Sequence, residues 1–465
     1  MLKVPSKLLL LVKKCSSYNM LQDFYNTNRS WHLTNLGRSW QNNSFARNQV
    51  PDRNQSSIRG ARNGNNCNGN VEFSIMSYNI LSQDLLEQHI QLYHGCPRSA
   101  LDWHSRRQRL AREIHESNPD IICLQEVNSN HHAHFYKPFL NNQGYVGFYK
   151  KRTGSKYDGC ALYYKTSKFT LLDHLEIEFC RRDLTHLLDR DNVAIIGVLK
   201  PSQLSNNQSV SSRLIVATTH LLFNPARGDI KLAQIRLLLA ELDRLINQLS
   251  PAEQNQCNVI LCGDMNSQPD SPFYKFITEG YLNTSGYFSG DISGQDLKQG
   301  RPCRPCDLNL TGINRSTQFV EIDKSIDSVK NDNNWRSSNK KSDKRDENGI
   351  KQLRREDFLW EEKNDKDEVN ESSSISHNFK FSSVYPTQDN FNLPLVTTHH
   401  EKGSCMVDYI FYTKSSNLKL LGYQRLLNSN QIDRIGFLPN NFLGSDHLSL
   451  HAKFLLKNKA KVHNH

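Results

Sequence analysis

Val259-Ile-Leu-Cys-Gly-Asp-Met-Asn266 is an apolar run that halts at a glycine and then sets a carboxylate and an amide two residues apart. The run predicts a buried strand, Val259 to Cys262, that stops at Gly263. In extended backbone, side chains at i and i+2 lie on one side, and glycine lets the chain leave a sheet sharply. Asp264 and Asn266 are therefore expected to converge on one spot at the strand's end. A carboxylate there can orient or deprotonate a water, and an amide can hold a phosphate oxygen. Taken alone, the stretch reads equally well as a strand followed by an ordinary Asp/Asn turn. The rest of the chain decides between them.

Upstream, Phe73, Ile75 and Ser77 alternate with Ser74, Met76 and Tyr78 and lead to Asn79, which predicts a mostly buried strand. Asp102 reads as a helix cap, Ser105 to Ser117 as a basic amphipathic helix, and Pro119 as its stop. Asp120-Ile-Ile-Cys-Leu-Gln125 is a second buried strand with Glu126 at its end. Strand-like runs follow at 160–164, 169–179, 193–199 and 214–219. Asp229 to Leu249 has helical periodicity through Ile230, Ala233, Ile235, Leu238, Leu242 and Leu245. Downstream, Met406 to Tyr412 and Leu443-Gly-Ser-Asp-His-Leu448 continue the strand pattern. Many strands with few helices between them predict an α+β fold built on packed sheets.

Two regions lack a core pattern. Residues 1–70 hold only two acids, Asp23 and Asp52, among many Lys, Arg, Asn and Ser, and are expected to form a basic, disordered tail. Within it, Lys3 and Lys7 precede the short run Leu8 to Val12. A mitochondrial leader is one reading, and a basic tail on a cytoplasmic or nuclear protein is the preferred one. Residues 283–380 are rich in Asn, Asp, Lys, Ser and Arg and are expected to be a largely disordered insertion within one domain spanning 71–458. Residues 459–465 complete the chain as a basic tail.

The net charge of +11 favours an anionic partner, nucleic acid first. Eleven cysteines, several inside apolar runs, read as reduced thiols of an intracellular protein. Cys303 and Cys306 make a lone C-x-x-C without a second half, which argues against zinc. No run reaches the length of a membrane span.

Asn79, Glu126, His220, Asp264, Asn266, Asp408, Asp446 and His447 each lie in or beside an apolar strand-like run. Phosphate ester hydrolysis needs carboxylates for a hard cation, a group to place water, and amides or cations around the phosphoryl oxygens. A Thr-Thr-His at a strand end, as at His220, also reads as a capped core edge.

In order, Ser77-Tyr-Asn-Ile-Leu81, Leu124-Gln-Glu126, Thr219-His-Leu221, Gly263-Asp-Met-Asn266, Asp408-Tyr-Ile410 and Ser445-Asp-His447 resemble the motifs of the endonuclease/exonuclease/phosphatase superfamily. Asp158 to Lys165 and Arg190-Asp-Asn-Val-Ala194 resemble its carbon catabolite repressor/nocturin deadenylase branch, and His220 to Gln234 is similar to the Angel proteins. The resemblance covers about Val71 to Leu455 apart from the insertion. It implies a DNase I-like, four-layer α/β/β/α sandwich with two mainly antiparallel sheets. It also implies Mg²⁺, as one or two ions with Mn²⁺ as a substitute, held by Glu126 with Asn79 and Asp446. Asp264 then places the nucleophile, Asn266 holds the scissile phosphate, His447 paired with Asp408 stabilises the pentavalent transition state, and His220 lies against the phosphate. Asn79, Asn192 and Asn224 join Asn266 as substrate-binding candidates, and the loops 224–231 and 397–405 are expected to line the terminal nucleotide.

The implied partner is an RNA 3′ end, and the activity is a poly(A)-type 3′ exoribonuclease or a 2′,3′-cyclic phosphatase. An inositol-lipid or similar phosphatase would require membrane-binding elements, and a non-catalytic RNA-binding module would require losses among the eight residues; neither is seen in the sequence. The absence of a leucine-rich repeat argues against a stable place in the deadenylase scaffold complex.

Overall fold

A computed structural model describes residues 19–48, 70–182, 185–202, 212–255, 257–298, 300–303 and 374–457. These all lie in one compact unit, Met1–Phe319 with Ser373–His465. In chain order the strands are β1 (Trp31–Leu33), β2 (Val71–Asn79), β3 (Ile121–Asn128), β4 (Tyr145–Lys151), β5 (Asp158–Lys165), β6 (Phe169–Glu178), β7 (Val193–Pro201), β8 (Arg213–His220) and β9 (Cys257–Asp264). They continue with β10 (Tyr281–Asn283), β11 (Ser374–Ser376), β12 (Phe381–Ser383), β13 (Leu395–Val396), β14 (Thr398–His400), β15 (Gly403–Cys405), β16 (Asp408–Thr413), β17 (Leu418–Gln424), β18 (Leu427–Asn428) and β19 (Leu450–Leu456).

Seven strands form one sheet in the order β1-β17-β19-β2-β3-β5-β4, and six form the other in the order β12-β16-β9-β8-β7-β6. The β2–β3 and β8–β9 pairs are parallel, and the remaining neighbours in both sheets are antiparallel. A helix crosses over each parallel pair, as parallel pairing requires: Trp103–Ser117 between β2 and β3, and Gly228–Asn247 between β8 and β9.

The alternation in β2 and β3 explains the layering. Phe73, Ile75, Ile121 and Cys123 enter the core shared with the second sheet. Their neighbours Met76, Tyr78, Ile122 and Leu124 pack with Leu110 and Ile114 of the first helix. Strands buried on both faces read as nearly continuous apolar runs. The first helix is capped as expected: the Asp102 side chain accepts from Ser105 N at 3.0 Å, and Asn118 ends it in the left-handed conformation.

Three expectations need correction. First, β9 does not stop at Gly263 but runs on to Asp264, which pairs with both His220 and Asp408. Gly263 sits at φ +146°, where a Cβ would lie 2.0 Å from the Thr219 carbonyl oxygen, so only glycine fits. Second, residues 19–48 are not a disordered tail. A helix over 19–28 buries Tyr25, and β1 adds an edge strand to β17. Arg29 is buried and donates to the carbonyls of Arg425 and Ser449. Polar anchoring of this kind leaves no apolar periodicity in the sequence. Third, the insertion is narrower than 283–380. β10 pairs with β11, and a short helix, Ser289–Ser293, packs on Gly228, where a Cβ would meet the Ser289 carbonyl oxygen at 2.4 Å. The leader 1–18, the segment 304–373 with Cys306, and the tail 459–465 lie outside the described residues.

Arg29→Met is expected to destabilise the protein by about 2–4 kcal/mol, because several buried carbonyls lose their donor at once. Urea unfolding measures this, with activity of the folded fraction unchanged. A loss under about 0.5 kcal/mol would show that residues 19–33 are a dispensable appendage.

Candidate active site

Both parallel pairs deliver their carboxyl ends to one edge of the sandwich. Asn79 ends β2, Glu126 lies near the end of β3, His220 ends β8 and Asp264 ends β9. The antiparallel neighbours bring the start of β16, Asp408, and the turn before β19, Asp446 and His447, to the same edge. A crevice at the carboxyl ends of parallel strands is where open sheets bind ligands.

Local backbone aims the side chains. The ladder between β3 and β5 slips between Leu124 and Val127, and Glu126 takes φ +57° there. A bulge turns a side chain that would otherwise alternate along the strand. Asn266 also has positive φ, +47°, and its backbone N–H donates to Asp264 Oδ1 at 2.9 Å. The two residues thus converge as the opening stretch predicts.

Asp408 and His447 form a buried pair, with Oδ2 and Nδ1 2.8 Å apart. Asp264 Oδ2 lies 3.8 Å from His447 Nε2, 3.5 Å from His220 Nε2, and accepts from Asn79 Nδ2 at 3.0 Å. Asn266 Nδ2 donates to the Leu221 carbonyl at 3.1 Å and lies 3.0 Å from His220 Nε2. Glu126 accepts from Asn79 Nδ2 at 3.1 Å and from Ser82 N at 3.0 Å. Asp446 accepts from the Tyr93 hydroxyl at 2.9 Å and lies 3.9 Å from His447 Nε2. The eight residues picked from the sequence therefore lie together.

Three assignments shift in detail. Asn79 turns its NH₂ toward Glu126 and Asp264 while its oxygen accepts from Leu81 N at 3.0 Å, so its NH₂ orders two carboxylates. Asn192 is buried with both ends of its amide engaged: it donates to the His220 carbonyl and accepts from Gln234. There it holds the end of β8 from within the core. Asn224 is exposed, and its side chain accepts from Ala226 N in a local turn.

The electrostatics are lopsided. Glu126, Asp264, Asp408 and Asp446 crowd together, and among the described residues only histidines make ion-pair contacts with them. Burial pushes the Glu126 carboxyl above its ordinary value, His220 opposes this, and Asp446 adds to it. Burial disfavours the His447 imidazolium, but Asp408, Asp446 and Asp264 outweigh it and hold the ring well above the usual histidine range. Burial raises Asp408 to about 6, against the pull of His447, which leaves it ionised at neutral pH.

This donor set fits a hard divalent cation, which takes carboxylate oxygens. Asp264, Asp408 and His447 have ligand atoms within 4.8 Å of one another, but the Asp408–His447 contact already joins two of them. Glu126, 11 % of whose side chain is exposed, and Asp446 are the remaining carboxylates that could hold the ion. Sequence reasoning overlooked Tyr93, Ser82 and Lys231. Lys231 alone carried a signal, a lysine in the same helical stripe as Ile235 and Leu238.

A sandwich of two sheets with these carboxylates, amides and paired histidine at one edge defines a phosphoesterase-type site. Residues 76–447 match the Endonuclease/Exonuclease/phosphatase family, and the chain belongs to it. Among curated relatives, the chain is 36% identical to Protein angel homolog 2 of Mus musculus over 457 residues, covering 92% of this chain and 77% of the relative. It is 32% identical to Carbon catabolite repressor protein 4 homolog 5 of Arabidopsis thaliana, covering 81% of this chain and 75% of the relative. The crystal structure of ANGEL2, a 2′,3′-cyclic phosphatase, in complex with adenosine-2′,3′-vanadate is similar at a TM-score of 0.66 and 37% identity, covering 83% of this chain and 96% of that one. Among the described residues no helix is long and apolar enough to cross a membrane.

Proposed function

We propose that this protein is an Angel-like, Mg²⁺-dependent phosphoesterase that hydrolyses 2′,3′-cyclic phosphates at RNA 3′ ends. The observation that carries the reading is the convergence of Asp264, Asn266 and the His447–Asp408 pair on one spot, in a chain 37% identical to a 2′,3′-cyclic phosphatase. Asp264, with its carboxylate ordered by Asn79, takes the proton of an attacking water as the water oxygen bonds to phosphorus. One P–O bond to the ribose breaks, and the departing ribose oxygen takes up a proton, which balances the step. The extra negative charge on five-coordinate phosphorus meets the His447 imidazolium and the Asn266 amide, groups fixed in place before reaction. His220 lies against the phosphate. Glu126 and Asp446 would hold the Mg²⁺, which when bound would neutralise charge on phosphoryl oxygens.

The test presents purified protein and Mg²⁺ with two RNAs, one ending in a 2′,3′-cyclic phosphate and one ending in oligo(A) with a free 3′-hydroxyl. Loss of the cyclic phosphate with the oligo(A) left at full length is expected. Shortening of oligo(A) with the cyclic end intact would replace this reading with that of a 3′ exoribonuclease.

A further inference from the structure

The Gly228–Asn247 helix buries a lysine among its leucines. Lys231 has no solvent exposure, and its ammonium meets two neutral acceptors: the backbone carbonyl of Asn266 and, at 3.0 Å, the side-chain oxygen of Gln295. Among the described residues no ion pair of Lys231 with a carboxylate is formed. A buried cation bonded only to neutral groups is costly unless a counter-charge lies near. Asp264 is the strongest of the charges that favour the ammonium, but burial outweighs them and lowers the Lys231 amine to about 7; charged or neutral, it keeps N–H donors for both acceptors.

The lysine is spent on a residue that needs holding. Asn266 is a non-glycine residue at φ +47°, a conformation that surrounding structure must impose. Its N–H is tied to Asp264 and its side-chain amide to Leu221 and His220, while its carbonyl is gripped by Lys231. Gln295 reaches the same ammonium from the loop after the Ser289–Ser293 helix, so three separate segments meet at Nζ.

We infer that Lys231 is a positioning residue that acts through Asn266, its Nζ–H donor clamping the Asn266 carbonyl so that the side-chain amide stays aimed at the scissile phosphate. The inference rests on the proposed role of Asn266. Gln295 in turn holds the ammonium, which makes the loop after the Ser289–Ser293 helix a remote support of the site.

A double-mutant cycle tests it. The wild type, Lys231→Met, Asn266→Ala and the double variant are compared on cyclic-phosphate RNA and on the generic diester bis(p-nitrophenyl) phosphate. Asn266→Ala is expected to lower kcat about 10²-fold, and Lys231→Met about 10-fold or more with KM changed less than kcat. The double variant is expected to match Asn266→Ala. Multiplied effects in the double variant would overturn the inference, because a lysine that merely supports the fold acts independently of Asn266. So would a Lys231→Met enzyme with wild-type kcat. Thermal melting checks the fold of each variant. If Lys231→Met does not fold, Gln295→Leu carries the test in its place, with a smaller kcat loss that vanishes in the Asn266→Ala background. Turnover of the generic diester alone would overturn the cyclic-phosphate reading while leaving the cycle readable.

Discussion

Glu126→Gln is expected to remove nearly all activity, about 10³-fold or more in kcat, while leaving the fold intact. The amide keeps the shape of the carboxyl and its one oxygen still accepts from Ser82 N, so the bulge at residues 124–127 keeps its tie; the bond from Asn79 is lost, but Asn79 still donates to Asp264. What it loses is the charge that faces the cation, and metal stabilisation of a transition state is worth several kcal/mol, which converts to that factor. Stability without metal should hold or rise, since one of the crowded carboxylates, Glu126, Asp264, Asp408 and Asp446, is neutralised. The wild type should melt higher as Mg²⁺ is added, because an ion that binds only the folded state stabilises it. The variant should lose most of that rise. A variant with near-wild-type turnover at saturating Mg²⁺ would reject Glu126 as the principal ligand.

Asp408→Asn is expected to cost about 10²-fold at pH 7 and to recover part of that in acid. The 2.8 Å contact places the Asp408 carboxylate first among the charges that hold His447 protonated against its burial. Without that carboxylate, burial counts for more and the imidazole pKa falls. Activity that needs the imidazolium is then lost as pH rises through the lowered value and returns below it. The wild type is expected to show a different acid limb, falling as Asp408, its carboxyl raised by burial, itself takes a proton. The asparagine variant lacks that limb, so its whole profile moves toward acid. His447→Ala should be impaired at every pH, because no cation remains to titrate. The pairing would be refuted by an Asp408→Asn enzyme whose pH profile overlays that of the wild type.

Much of this site could be read from the chain because its residues stand at the ends of apolar runs. Val259 to Cys262, Ile121 to Leu124 and Phe73 to Tyr78 each encode a buried strand, and a polar residue that closes such a run marks a sheet edge. Hydrophobic periodicity is local, so it survives in sequence: strands, the crossover helices and the Asp102 cap all follow from it. Ordered motifs then tie Asn79, Glu126, His220, Asp264, Asn266, Asp408, Asp446 and His447 to one chemistry. Tertiary structure decided what depends on contacts between distant segments. Which groups the NH₂ of Asn79 meets is set only by the approach of Glu126 and Asp264. Asn192 looked available to substrate until Gln234 and the β8 carbonyl took both ends of it. Residues 19–33 carry too little apolar pattern to announce a fold, yet Arg29 finds its carbonyls some 400 positions away at Arg425 and Ser449. Lys231 is the sharpest instance. A lysine in an apolar stripe signals a buried polar group, but its partners, the Asn266 carbonyl and a glutamine from another loop, exist only once the chain has folded.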